Sequence, residues 1–185
     1  GYSSAASDVY KRQFVGRKSE ATLCSEFIPV IGQSLDVFVP MEIRTFRSLF
    51  QYLMELSSQK PFNLVIDEFQ EFYNINESVY SDMQNIWDTY RKKSKMNLIV
   101  SGSVYSLMQK IFQNNKEPLF GRADNIIKLS AFDLATLKEI IFDYNPDYSN
   151  DDLLALYSFT GGVPKYVELL CDNTESVSYT HLTLP

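Results

Sequence analysis

Asn63-Leu64-Val65-Ile66-Asp67-Glu68-Phe69-Gln70 is the stretch on which the reading of this chain turns. From Phe62 to Ile66 it is short, apolar and branched, which suits a buried strand. It then runs straight into two adjacent carboxylates. In an open parallel sheet the ligand crevice lies outside the carboxyl ends of the strands. An acid pair directly after a buried strand is therefore aimed at that crevice. The same residues also suit a strand-to-turn junction carrying two solvated acids, so the surroundings must decide.

Upstream, Phe14-Val15 reads as the end of a short strand. From Lys18 to Leu35 the apolar residues Leu23, Phe27 and Ile31 recur every four positions, which predicts a helix, although Pro29 would kink or break its interior. Val37-Phe38-Val39 is extended and stops at Pro40. Phe46, Leu49, Phe50, Leu53 and Leu56 mark an amphipathic helix over Thr45–Leu56. Downstream, Val79, Met83, Ile86, Trp87 and Tyr90 form a helical stripe between Ser78 and Lys93. Phe69, Phe72, Tyr73 and Tyr80 are read as core and crevice packing. Met96–Val100 is a second apolar strand, closed by Ser101-Gly102-Ser103, and a helix follows through Leu107, Met108, Ile111 and Phe112. Asn114–Asp124 is a polar loop, and Asn125–Leu129 reads as a third strand.

Beyond Asp133 the pattern is only helical. Asn145-Pro146 breaks one helix, Asn150 is placed to cap the next, Gly161-Gly162 stops it, and Pro164 sits near the first position of the last. Strands alternating with helices imply parallel crossovers, hence an α/β sheet covered on both faces, followed by a small helical cap.

Composition removes several functions. The net charge of −6 argues against a nucleic-acid surface, and Arg91-Lys92-Lys93 with Lys95 reads as a solvated helix end. No apolar run approaches the ~20 residues that span a bilayer, and no signal peptide opens the chain. No membrane partner is expected, and a cytoplasmic location is the default. Cys24 and Cys171 read as buried reduced thiols. The one histidine, His181, excludes a His-based triad or a His-rich metal site. Residues 1–13 and 173–185 carry neither helical nor strand periodicity. They resemble translated adaptor sequence at the edges of metagenomic reading frames, so they are expected to be non-native, with the natural gene cut at both sides.

Four pieces of the chain share one further property. LVIDEFQEF (64–72), LIVSGSVYSLM (98–108), the PLFGRAD–IIKL–F run (118–132) and FTGGVPKYVELL (159–170) occur in an order and at spacings that resemble the prokaryotic AAA+/STAND-group ATPases, in the archaeal-type branch. The resemblance covers residues 14–171. It implies an α/β, AAA+/ASCE-type P-loop NTPase core with a three-layer parallel sheet over 14–132, a helical lid over 133–172, and ATP with Mg²⁺ as ligands.

Residue by residue, the resemblance makes 63–70 a Walker B segment. Asp67 would hold Mg²⁺ through water, and Glu68 would polarise the attacking water. Ser101, with Ser103 close behind, would be the sensor 1 hydroxyl; both serines also suit a turn and a helix cap. Arg122 would face phosphate, in cis or across a subunit boundary, or else make an ion pair with Asp124 or Glu117. Pro164 and Lys165 resemble the sensor 2 entry of the lid, where the family often carries Arg; a plain helix-turn-helix corner is the other reading.

The chain departs from the family in one large respect. It contains no G-x-x-x-x-G-K-[ST] loop. Phe14-Val15-Gly16-Arg17-Lys18-Ser19-Glu20 looks like the box that precedes that loop, but no Gly-Lys-Ser/Thr lies between Gly16 and Asp67. The segment is better read as the second strand and its helix, downstream of a lost P-loop. The expectation is a fragment that binds ATP weakly or not at all, from a parent that hydrolyses it. A homo-oligomer or a client protein would be its partner, with nucleic acid reached only through a region outside this chain. The alternative is a regulatory module in which nucleotide acts as a switch with little turnover.

Overall fold

The computed structural model describes residues 11–172. The tail at 173–185 and the leader up to residue 10 lie outside the described residues. The chain divides into two compact units, one ending at Asn125 and one beginning at Ile126.

The first unit is built on a parallel sheet of three strands in the order β1-β2-β3: β1 (Lys11–Phe14), β2 (Phe62–Asp67) and β3 (Met96–Val100). The register sets Phe14 beside Asp67 and Ile66 beside Val100. The β2 strand is therefore the middle one, with its acid pair at the carboxyl tip. The β1 strand starts at Lys11, inside the stretch expected to be a leader, and Val15 N extends the pairing by donating to Asp67 O at 3.0 Å. Leu64 and Ile66 are buried, whereas Ile99, on the alternate face, is 40% exposed.

Helix α1 (Glu20–Leu35) starts where the Ser19 hydroxyl accepts from Thr22 N at 3.2 Å. Pro29 lies inside it without ending it. The proline faces solvent, opposite the buried stripe of Leu23, Cys24, Phe27, Ile28, Ile31 and Leu35. The carbonyl it orphans is on the wet side, so the packing of the stripe outweighs one lost helical bond. Burial, then the nearby Glu20 carboxylate, pushes the Cys24 thiol up to about 11. Helix α2 (Phe46–Ser57) is capped by Thr45 and buries Phe46, Leu49, Phe50, Leu53 and Met54. After β2 come a 3₁₀ turn (Phe69–Glu71), the single-turn helix α3 (Phe72–Ile75) and helix α4 (Ser78–Tyr90). Phe69 and Phe72 are fully buried and Tyr80 nearly so, as packing alone requires. Helix α5 (Tyr105–Gln113) follows β3.

The second unit consists of α6 (Leu134–Tyr144), α7 (Asn150–Thr160) and α8 (Pro164–Asp172) around Leu137, Ile141, Leu153, Leu156, Val167 and Cys171. Ser149, not Asn150, caps α7: its hydroxyl accepts from Asp152 N at 3.2 Å while Asp152 accepts from Ser149 N at 2.8 Å. This reciprocal pair satisfies two orphan donors at once, which a lone Asn150 would not. Residues 126–132 go with this unit because Phe132 packs on its core and its N–H bonds Gly162 O at 2.8 Å.

The third strand expected at Asn125–Leu129 does not form. Those residues lie outside the sheet, with Ile127 81% and Leu129 90% exposed. An apolar alternation becomes a strand only beside a sheet edge, and among the described residues none pairs with this segment. Among those residues, too, no helix is long and apolar enough to cross a membrane.

Gly162 is fixed by its surroundings. Its φ is 72°, and an added Cβ would lie 2.3 Å from Phe132 O. Gly162→Ala is expected to destabilise the second unit by more than the ~1–2 kcal/mol of left-handed strain alone, read as a lower urea midpoint. An unchanged midpoint would refute the tight approach of Phe132.

Candidate functional site

The tips of β2 and β3 are stitched together beyond their last ladder pair. Ser101 N donates to Ile66 O, and Phe69 N donates to Ser101 O, both at 2.9 Å. This fixes the side chains that emerge there. Asp67 is only 4% exposed, and the Ser101 hydroxyl donates to its Oδ1 at 2.5 Å. Glu68 turns the chain from strand to 3₁₀ helix with φ 54° and ψ 40°. A non-glycine residue in the left-handed region costs of order 1–3 kcal/mol and is held there by its surroundings. Here the constraint is visible on both sides: Asp67 must stay in the strand while Phe69 must enter the core.

Two side chains hold the Glu68 carboxylate by the same oxygen. Gln70 Nε2 donates to Oε2 at 2.5 Å and the Ser103 hydroxyl at 2.8 Å. The Gln70 amide first, and then the Ser103 hydroxyl, keep the carboxyl below its ordinary range, because both donors favour the charged form. Gln70 itself is 1% exposed, and its Oε1 has no hydrogen-bond partner. A buried orphan acceptor costs about 1–3 kcal/mol. Gly102 lies over it, where a Cβ would sit 2.1 Å from Gln70 Oε1.

The structure thus brings Asp67, Glu68, Ser101 and Ser103 together at one sheet crest. Arg122 is engaged elsewhere in the same unit. Its Nε and Nη2 donate to the two oxygens of Asp88 at 3.2 and 2.6 Å, and its Nη1 donates to the carbonyls of Pro118 and Phe120 at 2.8 and 3.0 Å. The ion pair is made with α4, not with Glu117 or Asp124. The hydrogen bond from Arg122 lowers the Asp88 carboxyl. Glu117 instead accepts from the Tyr73 hydroxyl and pairs with Lys110. Pro164 and Lys165 open α8 in the second unit, and Lys165 pairs with Glu168 at 2.8 Å. An open depression of about 530 Å³ lined by Arg17, Lys18, Ser19, Asn74 and Ile75 includes none of the crest residues.

Residues 5–170 match a family of ATPase domains found predominantly in Archaea. The chain belongs to that family. It is 33% identical over 105 residues to an uncharacterized protein of Methanocaldococcus jannaschii, covering 57% of this chain and 23% of that protein. Its fold is similar to that of a Walker-type ATPase of Pyrococcus abyssi, with a TM-score of 0.61 at 16% identity, over 88% of this chain and 56% of the other. The chain therefore spans about a quarter of the first relative and just over half of the second.

The crest of this ATPase domain suits one kind of metal. Its donors are all oxygen: the carboxylates of Asp67 and Glu68 and the hydroxyls of Ser101 and Ser103. Among the described residues no group of three or more His, Cys, Asp or Glu side chains forms a metal cage. Mg²⁺ needs no such cage, because it keeps several waters and binds through one or two carboxylates together with substrate phosphates. Sequence reasoning missed the contacts of Gln70 and the role of Gly102. Gln70 stood inside the decisive motif, but nothing in a hydropathy pattern marks a polar residue as buried.

Proposed function

We propose that this ATPase domain takes Mg·ATP at the carboxyl tips of β2 and β3 and hydrolyses it, with the energy coupled to a conformational change. The observation that carries the reading is the emergence of Asp67 and Glu68 from the middle strand, each tied to a serine from the neighbouring strand's tip. Asp67 orients a water of the Mg²⁺ shell; the metal, when bound, neutralises charge on the transferred phosphoryl group. Glu68 accepts a proton from the attacking water. Ser101, fixed on Asp67, and Ser103, fixed on Glu68, report the γ-phosphate to both acids. Arg122 reaches phosphate only if it leaves Asp88, so we assign it a clasp role in the present state. Pro164 and Lys165 are proposed as the lid's contribution, through the exposed N-terminus of α8 and one cation.

The phosphate loop is the missing part of this reading. We place it on a strand that adds to the open edge of β3, beside the half-exposed Ile99. The same added strand would give the apolar segment 125–129 a neighbour. Partners of the whole protein, an identical subunit or a client, would engage the helical second unit.

Two titrations test this. The 185-residue chain is expected to bind Mg·ATP weakly or not at all, and micromolar affinity by calorimetry would sink the separate-loop reading. In the full-length protein, Asp67→Ala should weaken Mg·ATP binding roughly 10- to 100-fold, the scale for residues that orient metal-bound groups. Undiminished binding and an unaltered Mg²⁺ requirement would remove Asp67 from the site.

A further inference from the structure

We propose that Gln70 is a positioning residue for Glu68: its buried side-chain amide grips one carboxylate oxygen and leaves the other to receive a proton. The proposal rests on the hydrolytic reading above and adds to it a residue and a direction of approach. Three observations on the page carry it.

The amide can face only one way. Its nitrogen lies 2.5 Å from Glu68 Oε2, and a reversed amide would set its carbonyl against the carboxylate. The orientation is kept although it strands Oε1 in the interior without a partner. A glutamine serving only to fill space would be replaced at no loss by an apolar residue of its size; this one carries a buried defect for the sake of its nitrogen.

The space for the amide is reserved. Gly102, between the two serines, leaves no room for a Cβ against Gln70 Oε1 at 2.1 Å or Met108 Sδ at 2.6 Å. The β3–α5 turn therefore closes over the glutamine as a lid of backbone. Ser103, from the same turn, donates to the same oxygen, so both side-chain donors fall on Oε2 and neither on Oε1.

The mounting is stiff. Gln70 lies in the 3₁₀ turn whose carbonyls at Phe69 and Gln70 both accept from the Tyr80 hydroxyl, at 3.1 and 3.3 Å. Glu68 is held in a left-handed conformation next to it. Positioning of this kind is worth an order of magnitude or more in rate when it fixes a reacting group.

The experiment has two arms. In the chain itself, Gln70→Glu should lower the urea midpoint at pH 7 by opposing two carboxylates, and Glu68→Gln combined with Gln70→Glu should restore it by remaking one amide–carboxylate bond. Failure of the double variant to recover would overturn the contact. In the full-length protein, Gln70→Met should lower kcat roughly tenfold or more with KM for ATP within about twofold, and the recovered double variant should stay inactive. Full kcat in Gln70→Met, with Glu68→Gln inactive, would overturn the positioning role alone. Full kcat in Glu68→Gln would instead overturn the hydrolytic reading on which it stands.

Discussion

Glu68→Gln in the full-length protein is expected to lower kcat by about 10²- to 10⁴-fold, the range in which a positioned general base contributes, with Mg·ATP affinity nearly unchanged. The substitution keeps shape and length. A glutamine at this position still offers a carbonyl oxygen to the Gln70 amide and the Ser103 hydroxyl, so the geometry around Oε2 survives. What is lost is the negative charge that takes a proton from water. The left-handed backbone at φ 54° is the same for either residue, so stability should barely move. Steady-state turnover beside a nucleotide titration checks this. Turnover retained in the variant would turn the domain into a nucleotide-controlled switch, the rival reading of the sequence. Ser103→Ala should fall between: it removes one of two donors to the same oxygen and leaves the acid.

The crest was legible in the chain because two simple rules overlap there. A branched apolar run must be a strand, and the parallel arrangement forced by intervening helices puts its carboxyl end at the crevice. Those rules placed Asp67, Glu68, Ser101 and Ser103, and the structure gathers all four at one crest. They do not reach further. Asn125–Leu129 has a strand's composition, but a strand is a property of a pair, and its neighbour is not among the described residues. Pro29 was a warning that packing overrode, since helix breaking is costly only where the lost bond cannot be hydrated. The partner of Arg122 turned out to be Asp88 on α4, 34 residues away in sequence, where no local rule looks. Gln70 is the instructive case: a polar side chain becomes buried when the turn around it closes, and closure depends on Gly102, 32 residues downstream.

Phe69→Ala is the substitution expected to cost the most stability, about 3–5 kcal/mol in the unfolding of the first unit. Phe69 is fully buried. Its ring lies 5.4 Å from Tyr80 and 5.8 Å from Phe72, both edge-on, and 6.0 Å from Phe112 on α5. Removing it leaves a cavity under the 3₁₀ turn that four rigid neighbours cannot close. Phe38→Ala, at a residue 81% exposed, should stay within about 0.5 kcal/mol and serves as the comparison. Urea unfolding of both variants decides the matter, and a loss below 1 kcal/mol at Phe69 would contradict the packing described. The position of Phe69 gives the result a second use. It follows Glu68 directly, and its burial pulls the chain out of the strand and sets the left-handed turn. The same deletion should therefore release Glu68 and lower turnover even below the melting range, where the protein is still folded. A stable, folded Phe69→Ala variant with full kcat would show that Gln70, Ser103 and the backbone hold the acid without help from the core beneath it.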